Sequence, residues 1–483
     1  MILSAWQTIG LLISVLGIAG IAIYAGTRPQ TFANVNGPTI VTGILIGTLV
    51  GGSSTVGTAQ LAFTYGMSAW WFTLGGGIAC LILALLYVKP LRRSGCMTLA
   101  AIIGKEYGET ADIVASILNS IGTFINVISQ LLAGTAVIAV VFPELGIVWE
   151  LIITAVFMAV YVIFGGNQGA GRVGILKAVL LYISMIGCAV MVLYLTGGLG
   201  GFMSQVHSID TDVNLMSLFA RGIGKDSGAC MSLILGVLTT QTYAMALMSA
   251  KSDRAARTGA LAGAVLIPPI GIGGILVGLY MRANYPAIAA KTALTTFVLE
   301  QLPGFPGGIV LGTLFIAVVG TGAGLAMGLS TVIRRDIIFH FRPALADNFK
   351  KNMRLNHIII LFVLFLGCCL STGKLGDTIL NFAFMSMGLR GAVVFAPLVF
   401  ALWFPGRVNQ KWAMAAIIAG PAFVLLCGTV LPLPGGIDAL FAGVAASLLC
   451  CLIGMAVGQH TPTPPQSSTR HHFNLFHHFH HYH

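Results

Sequence analysis

A stretch of small and polar residues, Gly51 to Ala69, lies inside an apolar run that is long enough to cross a bilayer twice. The stretch reads GGSSTVGTAQLAFTYGMSA, and the apolar run extends from Thr39 to Leu91. Backbone can leave the helical conformation at membrane depth only where it is buried in protein or lines a polar cavity. Carbonyls freed at such a break can bind a solute or an ion. The stretch therefore predicts a binding segment, and close helix packing through small residues is the alternative.

Two basic residues, Lys177 and Arg390, fall within apolar segments, whereas all fourteen acidic residues lie in loops or near predicted helix ends. An ionisable side chain inside a membrane indicates a functional site. The planar guanidinium of Arg390 matches a carboxylate, but it could equally bond helix-end carbonyls as a structural gate. Lys177 follows Arg172 by five residues, about 8 Å of helix, so its ammonium could instead extend to the cytoplasmic surface.

Polar side chains recur within two further apolar segments. In the first, the spacings of 4, 3 and 4 residues place one stripe on a single helix face: Asn119, Thr123, Asn126 and Gln130. In the second, residues 239–242 read TTQT and lie beside Tyr243. Such residues either line a solute cavity or hydrogen-bond two helices together, and their spacing leaves both alternatives open.

The composition indicates an all-α polytopic membrane protein. Of the 483 residues, 57% are hydrophobic and 8% are charged, and the mean hydropathy is +0.93; a soluble chain carries about 25% charged residues. The formal charge is +11, and the Lys and Arg residues that produce it lie in short loops between apolar segments. This pattern is typical of the cytoplasmic loops of a membrane protein and not of a nucleic-acid-binding surface. The sequence contains no HExxH, GxSxG or Walker-type motif, and its cysteines lack metal-finger spacing, so we expect no enzyme and no organic cofactor.

Thirteen segments are apolar and long enough to span a membrane, which takes about 20 residues. They cover residues 5–26, 38–66, 67–90, 111–141, 147–165, 173–197, 227–250, 257–281, 306–333, 355–372, 376–404, 411–431 and 438–458. With the N-terminus outside, eighteen Lys and Arg residues fall on the cytoplasmic side and five on the outer side. This bias predicts an outer N-terminus and a cytoplasmic C-terminus. The first residues, MILSAWQTIG, lack the features of a cleaved signal, so we expect the first helix to be retained.

The C-terminal tail, residues 460–483, differs from the rest of the chain because it holds eight of the eleven histidines. It contains no apolar pattern that could build a core, so we expect a disordered cytoplasmic tail. Clustered histidines could bind a transition metal weakly, but their irregular spacing makes this signal unspecific.

Four stretches, taken in order, resemble the sodium/solute symporter family. They are residues 53–60 with Tyr65 and Gly66, residues 250–252 with Arg257, residues 312–338, and residues 399–411. The likeness extends from about residue 37 to residue 420. It implies a leucine-transporter-type fold, with a ten-helix core of two inverted five-helix repeats at residues 38–404. One extra helix precedes the core (residues 1–37), two follow it (405–459), and solute would bind between the broken first and sixth core helices.

The resemblance also implies a sodium site made of oxygens from the first and eighth core helices, which suits a hard cation. Its ligands would be Ser53, Val56, Ala317, Gly320 and Thr321. The sequence departs from the family at two places. Gly320 stands where members often have a hydroxyl residue, and Lys177 stands where many sodium-coupled members have an Asp. An ammonium near the site would repel sodium and could take its place.

For the solute, the resemblance points to Gln60, which corresponds to the side chain that hydrogen-bonds substrate in the family. A buried Gln offers both a donor and an acceptor. The other candidates come from the first, third, sixth and tenth core helices: Thr55, Thr58, Asn126, Gln130, Gln241, Asn381 and Arg390.

Together these features predict a sodium-coupled secondary transporter of a small polar solute in a bacterial inner or plasma membrane. One alternative is a sodium-independent transporter of a carboxylated solute, driven by protons or exchange, with Lys177 in place of sodium. A second is a membrane sensor derived from a transporter, although no kinase-sized region follows Gly458. We expect the solute and the bilayer as partners, no nucleic acid, and leave a homodimer open.

Overall fold

The computed structural model describes residues 3–26, 37–96, 98–165, 170–338, 349–372 and 379–458. Regular structure within these ranges is helical. The α-helices, in chain order, are α1 Ala5–Gly26, α2 Pro38–Leu49, α3 Thr58–Tyr65, α4 Trp71–Ile82, α5 Val88–Arg93, α6 Leu99–Tyr107, α7 Glu109–Val141, α8 Ile147–Gly165, α9 Ala170–Leu195, α10 Leu199–His207, α11 Ile223–Thr239, α12 Gln241–Met248, α13 Asp253–Asn284, α14 Ala293–Gln301, α15 Gly304–Val332, α16 Phe349–Ser371, α17 Ile379–Trp403, α18 Gln410–Thr429 and α19 Ala439–Val457. The predicted histidine-rich tail lies outside the described residues.

The predicted all-α polytopic fold is confirmed. Within the described ranges, nine helical stretches are long and apolar enough to cross a membrane, and counting the bent pair α11–α12 as one span gives ten. Three shorter apolar helices cover Ala5–Gly17, Pro38–Leu49 and Ile147–Ile163. The exact number of thirteen spans and the division of the chain into a core with flanking segments stay predictions.

Two of the predicted spans are interrupted by a residue with extended backbone angles, Val50 in the first and Thr240 in the second. The span over residues 38–66 consists of α2, a π-helical turn at Ser53–Gly57, and α3. The span over residues 227–250 is bent by 49° between α11 and α12, because Thr240 has the extended backbone angles φ −89° and ψ 125°. Polar and small residues occupy both interruptions, so the backbone groups that leave the helices have hydroxyl and amide partners nearby.

The helices form two groups that contact each other directly and through two shared neighbours. In one group, α13 packs against α2, α3 and α4, while α11 packs on α4 and α12 on α2. In the other, α7, α8, α15 and α16 pack together. Helix α17 contacts both α7 and α11, and α9 contacts α2, α13 and α15. The two broken spans therefore belong to one group, and α17 connects the second of them to α7 of the other group.

Small residues allow the close approaches within these groups. A Cβ atom added at Gly278 of α13 would lie 2.5 Å from the carbonyl oxygen of Ala59 in α3. One added at Gly47 of α2 would lie 2.8 Å from the Cα atom of Gly174 in α9. Glycine at these positions brings two backbones into contact, which is the usual way of packing helices in a membrane.

The chain reverses direction at Gly66, between α3 and α4. Gly66 has φ +59° and ψ −129°, a conformation that residues with a side chain rarely adopt. The next amide, that of Met67, donates to the carbonyl of Leu215 at 2.8 Å. A side chain at position 66 would collide with the Leu215 backbone, so this reversal requires glycine for two separate reasons.

Replacing Gly66 by alanine is expected to lower the free energy of unfolding by about 3 kcal/mol or more, because backbone strain and collision add. Gly95→Ala is the matched control, since Gly95 also has a positive φ of 68° but nothing lies within 4 Å of an added Cβ. We expect a cost of about 1–2 kcal/mol there. Melting temperatures in detergent check both variants, and equal losses would contradict the role of the Leu215 contact.

Candidate functional site

The first broken span, α2–α3, corresponds to the predicted first core helix, and its break is held by side chains of α7. The amide of Gly52 donates to Gln130 Oε1 at 3.0 Å, and Gln130 Nε2 donates to Ser53 Oγ at 2.9 Å. The hydroxyls of Ser53 and Ser129 lie 2.9 Å apart. Gln130, the last residue of the predicted polar stripe on α7, thus satisfies a backbone and a side-chain group at the break, so at this position the stripe connects two helices.

Hydroxyl groups within the break satisfy the carbonyls that its irregular backbone releases. Thr55 Oγ1 donates to the carbonyl of Gly51 at 2.8 Å, and Thr58 Oγ1 donates to the carbonyl of Ser53 at 3.3 Å. Both threonines are fully buried. Ser, Thr and Gly in this stretch therefore allow the backbone to loosen inside protein without leaving polar groups unpaired.

The ammonium of Lys177 lies between the first core helix and α15. It donates to the carbonyl of Gly47 at 2.9 Å and makes a hydrogen bond to the Thr321 hydroxyl. The lysine is 6% exposed, so its ammonium is enclosed by helices and does not extend to the cytoplasmic surface. The backbone contact between Gly174 and Gly47, three residues before Lys177, brings α9 close enough for this arrangement.

Four of the five predicted sodium ligands are buried: Ser53, Val56, Ala317 and Thr321. The fifth, Gly320, faces α8, where an added Cβ would lie 3.6 Å from the Tyr161 ring. An added Cβ at Gly51 would lie 2.5 Å from Thr321 Oγ1, so the first core helix and α15 touch at this point. The oxygens of this junction are carbonyls and hydroxyls, the donors that suit a hard cation. Their role as sodium ligands stays a prediction.

Gln60, the main solute candidate, connects α3 to the beginning of α17. Its Oε1 accepts a hydrogen bond from the amide of Ile379 at 2.9 Å, and Ser129 Oγ donates to the carbonyl of the same residue at 2.9 Å. Gln60 is 5% exposed. The first residue of α17 is thus tied both to the broken helix and to α7, so a solute that engaged Gln60 would act on all three helices.

The second broken span, α11–α12, corresponds to the predicted sixth core helix, and its break is held by Arg390 of α17. Its Nη1 atom donates to Thr240 Oγ1 at 2.9 Å, Nη2 donates to Ser386 Oγ at 3.0 Å, and Nε donates to the carbonyl of Ser386 at 3.3 Å. The arginine is 1% exposed. Within the described part of the chain these partners are neutral, so the guanidinium is a buried positive charge at the irregular residue of a broken helix.

The remaining predicted solute residues are distributed unevenly. Asn126 is buried in α7. Gln241 is partly exposed, and its Oε1 accepts from the amide of Leu99 at 2.8 Å, at the beginning of α6. Asn381 is exposed in the first turn of α17. The structure thus groups Thr55, Thr58, Gln60 and Gln130 around the first break and Arg390 at the second, while Gln241 bonds the beginning of α6 and Asn381 is exposed.

The sequence interpretation missed three buried polar side chains, two of which complete these groups. Ser129 and Ser386 are fully buried partners of the two breaks. The position of Ser386, one helical turn before Arg390, offered a signal, while Ser129 lies off the polar stripe. Asp226, at the beginning of α11, is also fully buried and accepts from Arg221 Nε at 2.7 Å. Asp226 lies just before the predicted span over residues 227–250, and this position gave no reason to expect a buried side chain.

Comparisons with known proteins agree with this architecture. Residues 36–420 match the sequence profile of the sodium:solute symporter family. The sodium/pantothenate symporter of Escherichia coli (strain K12) is 23% identical over 478 residues, covering 92% of this chain and 95% of that protein. The high-affinity proline transporter PutP of Bacillus subtilis (strain 168) is 25% identical over 314 residues, covering 62% and 63%.

A solved structure of a Na⁺-coupled sialic acid symporter, in a substrate-bound outward-open state, shares the fold with a TM-score of 0.75 at 13% identity. It covers 95% of this chain, and all of its own chain is matched. The family match spans both broken helices, Lys177 and Arg390, and the resemblance predicted from the four sequence stretches is confirmed. The chain is an integral membrane transport protein and belongs to the sodium:solute symporter family.

Proposed function

We propose that this protein is a sodium-coupled secondary transporter that carries a small carboxylated solute by alternating access. The solute would bind between the two breaks, in reach of Gln60 and Arg390. Discontinuous helices serve this purpose in secondary transporters because their ends offer unpaired backbone groups at the centre of the membrane. The membership of the symporter family supports the sodium coupling.

The main support for a carboxylated solute is the environment of Arg390. A buried charge is costly unless it is paired, and the contacts of this guanidinium in the described structure are hydroxyls, a carbonyl and the Met387 sulfur. A planar guanidinium binds a carboxylate through two parallel hydrogen bonds. A carboxylated solute at the second break would therefore supply the anion that the protein does not.

The solutes in the relatives' names support the same class. Pantothenate, proline and sialic acid differ in size and shape, and each carries a carboxylate. A positive charge fixed at the bend of the sixth core helix would recognise the feature that they share. The side chains around the first break, Gln60 among them, would then recognise the hydroxyl and amide groups in which such solutes differ.

Arg390→Gln is expected to weaken binding of the transported carboxylate at least 30-fold, because a buried carboxylate would lose its charged partner. Arg390→Lys should restore only part of the affinity, since an ammonium lacks the fork geometry. The measurement is a thermal-shift screen of pantothenate, proline, sialic acid and neutral sugars, with and without sodium. Arg407→Gln, which removes an exposed base after α17, is the control and should bind normally. Stabilisation by neutral sugars but not by carboxylates would overturn the proposal.

A second candidate is favoured by the position of Lys177. Its ammonium already contacts Gly47 and Thr321, oxygens of the two helices that are predicted to hold sodium. A sodium ion 4 Å from this ammonium would be repelled by about 4 kcal/mol at an effective dielectric constant of 20. In this alternative Lys177 replaces sodium, and transport is driven by protons or by a counter-solute.

Uptake into proteoliposomes distinguishes the two candidates. For sodium coupling, we expect uptake only with an inward sodium gradient, and Thr321→Ala should raise the sodium concentration for half-maximal uptake about tenfold. For the lysine alternative, uptake should ignore sodium and respond to a pH gradient or to internal solute. In that case Lys177→Gln should abolish this response, while the exposed Lys251→Gln control retains it. Steep sodium dependence of the unmodified protein would exclude the lysine alternative.

We propose further that the N-terminus lies outside and the C-terminus in the cytoplasm, which the bias of Lys and Arg supports. Green fluorescent protein fused after Gly458 should therefore be fluorescent in bacteria, because it folds in the cytoplasm and not after export through the general secretion pathway. Alkaline phosphatase fused at the same position should be inactive. An active phosphatase fusion together with a non-fluorescent green fluorescent protein fusion would indicate the opposite topology.

A further inference from the structure

A groove of about 570 Å³ opens where the ends of α5, α6 and α17 meet. Three bases line it: Lys89 and Arg93 of α5, one helical turn apart, and Lys105 of α6. All three are exposed. The charge bias predicts that these helix ends lie on the cytoplasmic side of the membrane. The groove is separate from both helix breaks and shares no lining residue with them.

The positive charge of this groove is largely uncompensated. Lys89 and Arg93 have no hydrogen-bond or ion-pair partner among the described residues. Lys105 Nζ donates to the carbonyl of Ser94 at 3.2 Å, which leaves further N–H donors of the ammonium for a ligand. The one acidic side chain in the lining, Glu106, is held by a hydrogen bond from the amide of Gly406. The lining thus has three cations and one anion, which suits an anionic ligand.

The rim of the same groove is strongly apolar. Leu85 and Leu86 are each 58% exposed, and Trp403 is 38% exposed. The Trp403 ring packs edge-on against Tyr87, with ring centroids 5.0 Å apart, so its orientation is fixed. Tryptophan is enriched where a membrane meets water, because its ring has an apolar body and a polar N–H group. Leucine side chains this exposed fit contact with lipid acyl chains.

We infer that this groove binds the headgroup of an anionic phospholipid, such as phosphatidylglycerol. Basic pockets between membrane helices bind phosphate-bearing headgroups, and here the bases lie beside exposed leucines that would contact the acyl chains. A free phosphate ion would use the bases but leave the apolar rim without a role. Both helix groups take part, because α5 packs on α12 whereas α6 packs on α7. A bound lipid would therefore contact both helix groups.

The test measures lipid binding to the full-length protein in detergent. Dioleoyl phosphatidylglycerol is titrated while the melting temperature is followed, and native mass spectrometry counts the retained lipids. Dioleoyl phosphatidylcholine has the same chains without net charge, and inorganic phosphate has the charge without chains. We expect phosphatidylglycerol to stabilise the unmodified protein at concentrations at least tenfold lower than either alternative probe.

The decisive variant removes the three bases through Lys89→Gln, Arg93→Gln and Lys105→Gln. Its matched control removes three exposed bases on the same predicted side, through Lys251→Gln, Arg254→Gln and Lys411→Gln. The groove variant should need at least tenfold more phosphatidylglycerol for half-maximal stabilisation, while the control stays within twofold of the unmodified protein. If the triple variant does not fold, Arg93→Gln alone should still need about threefold more lipid.

Three results would overturn the inference. If phosphatidylglycerol stabilises the groove variants as well as the unmodified protein, the three bases do not bind the lipid. Equal stabilisation by inorganic phosphate would identify a phosphate site in place of a lipid site. Equal loss in the control variant would assign the effect to net charge. The inference does not depend on the solute or on the coupling ion.

Discussion

Every backbone amide and carbonyl that leaves a helix inside a membrane must find a partner within the protein, since the hydrocarbon offers none. This constraint explains why polar side chains lie at the helix breaks. Gly52 has no helical partner for its amide, and Gln130 of α7 supplies one. In the same way, the hydroxyl of Thr55 donates a hydrogen bond to the carbonyl of Gly51. The helices that surround a break are therefore bonded to it, and a movement of the break has to rearrange those bonds.

The two buried cations follow from the same constraint. A carbonyl at an interrupted helix carries partial negative charge, so a positive group can be buried there without an acidic partner. Lys177 donates to the carbonyl of Gly47 in the last turn of α2. Arg390 donates to the Thr240 hydroxyl at the second break and to oxygens of Ser386 in its own helix. Each cation lies at one of the two interrupted spans and comes from a helix outside the group to which those spans belong. Each break thus has its own electrostatic contact with a neighbouring helix.

Much of this arrangement could be predicted from the sequence, because hydropathy determines where a membrane helix lies. The predicted spans 5–26 and 147–165 coincide with α1 and α8. The polar stretch that begins at Gly51 was a reliable sign of a break, and Lys177 and Arg390 were conspicuous in apolar surroundings. These signals are local, in that each residue is unusual for its immediate neighbours along the chain.

Contacts between distant segments carried no such signal. Nothing in the sequence indicated that Gln60 would bond the amide of Ile379, because any buried amide could have been its partner. The basic groove could not be predicted for a similar reason. In the sequence Lys89 and Lys105 look like ordinary bases between membrane spans, and only the fold brings them to one groove. A membrane core packs through glycine contacts such as Gly47 with Gly174, and small residues are too frequent in this chain to identify their partners.

The Lys177 junction shows why family membership and local chemistry give separate information. A sodium ion and an ammonium both favour carbonyl and hydroxyl oxygens, so the oxygens of Gly47 and Thr321 are compatible with either cation. The difference lies in attachment, because a lysine cannot leave with the solute and a sodium ion can. A protein with a tethered cation can still close around a solute, but uphill transport then needs a proton gradient or a counter-solute. The presence of Lys177 at this junction therefore bears on the energy source of transport more than on the solute that is carried.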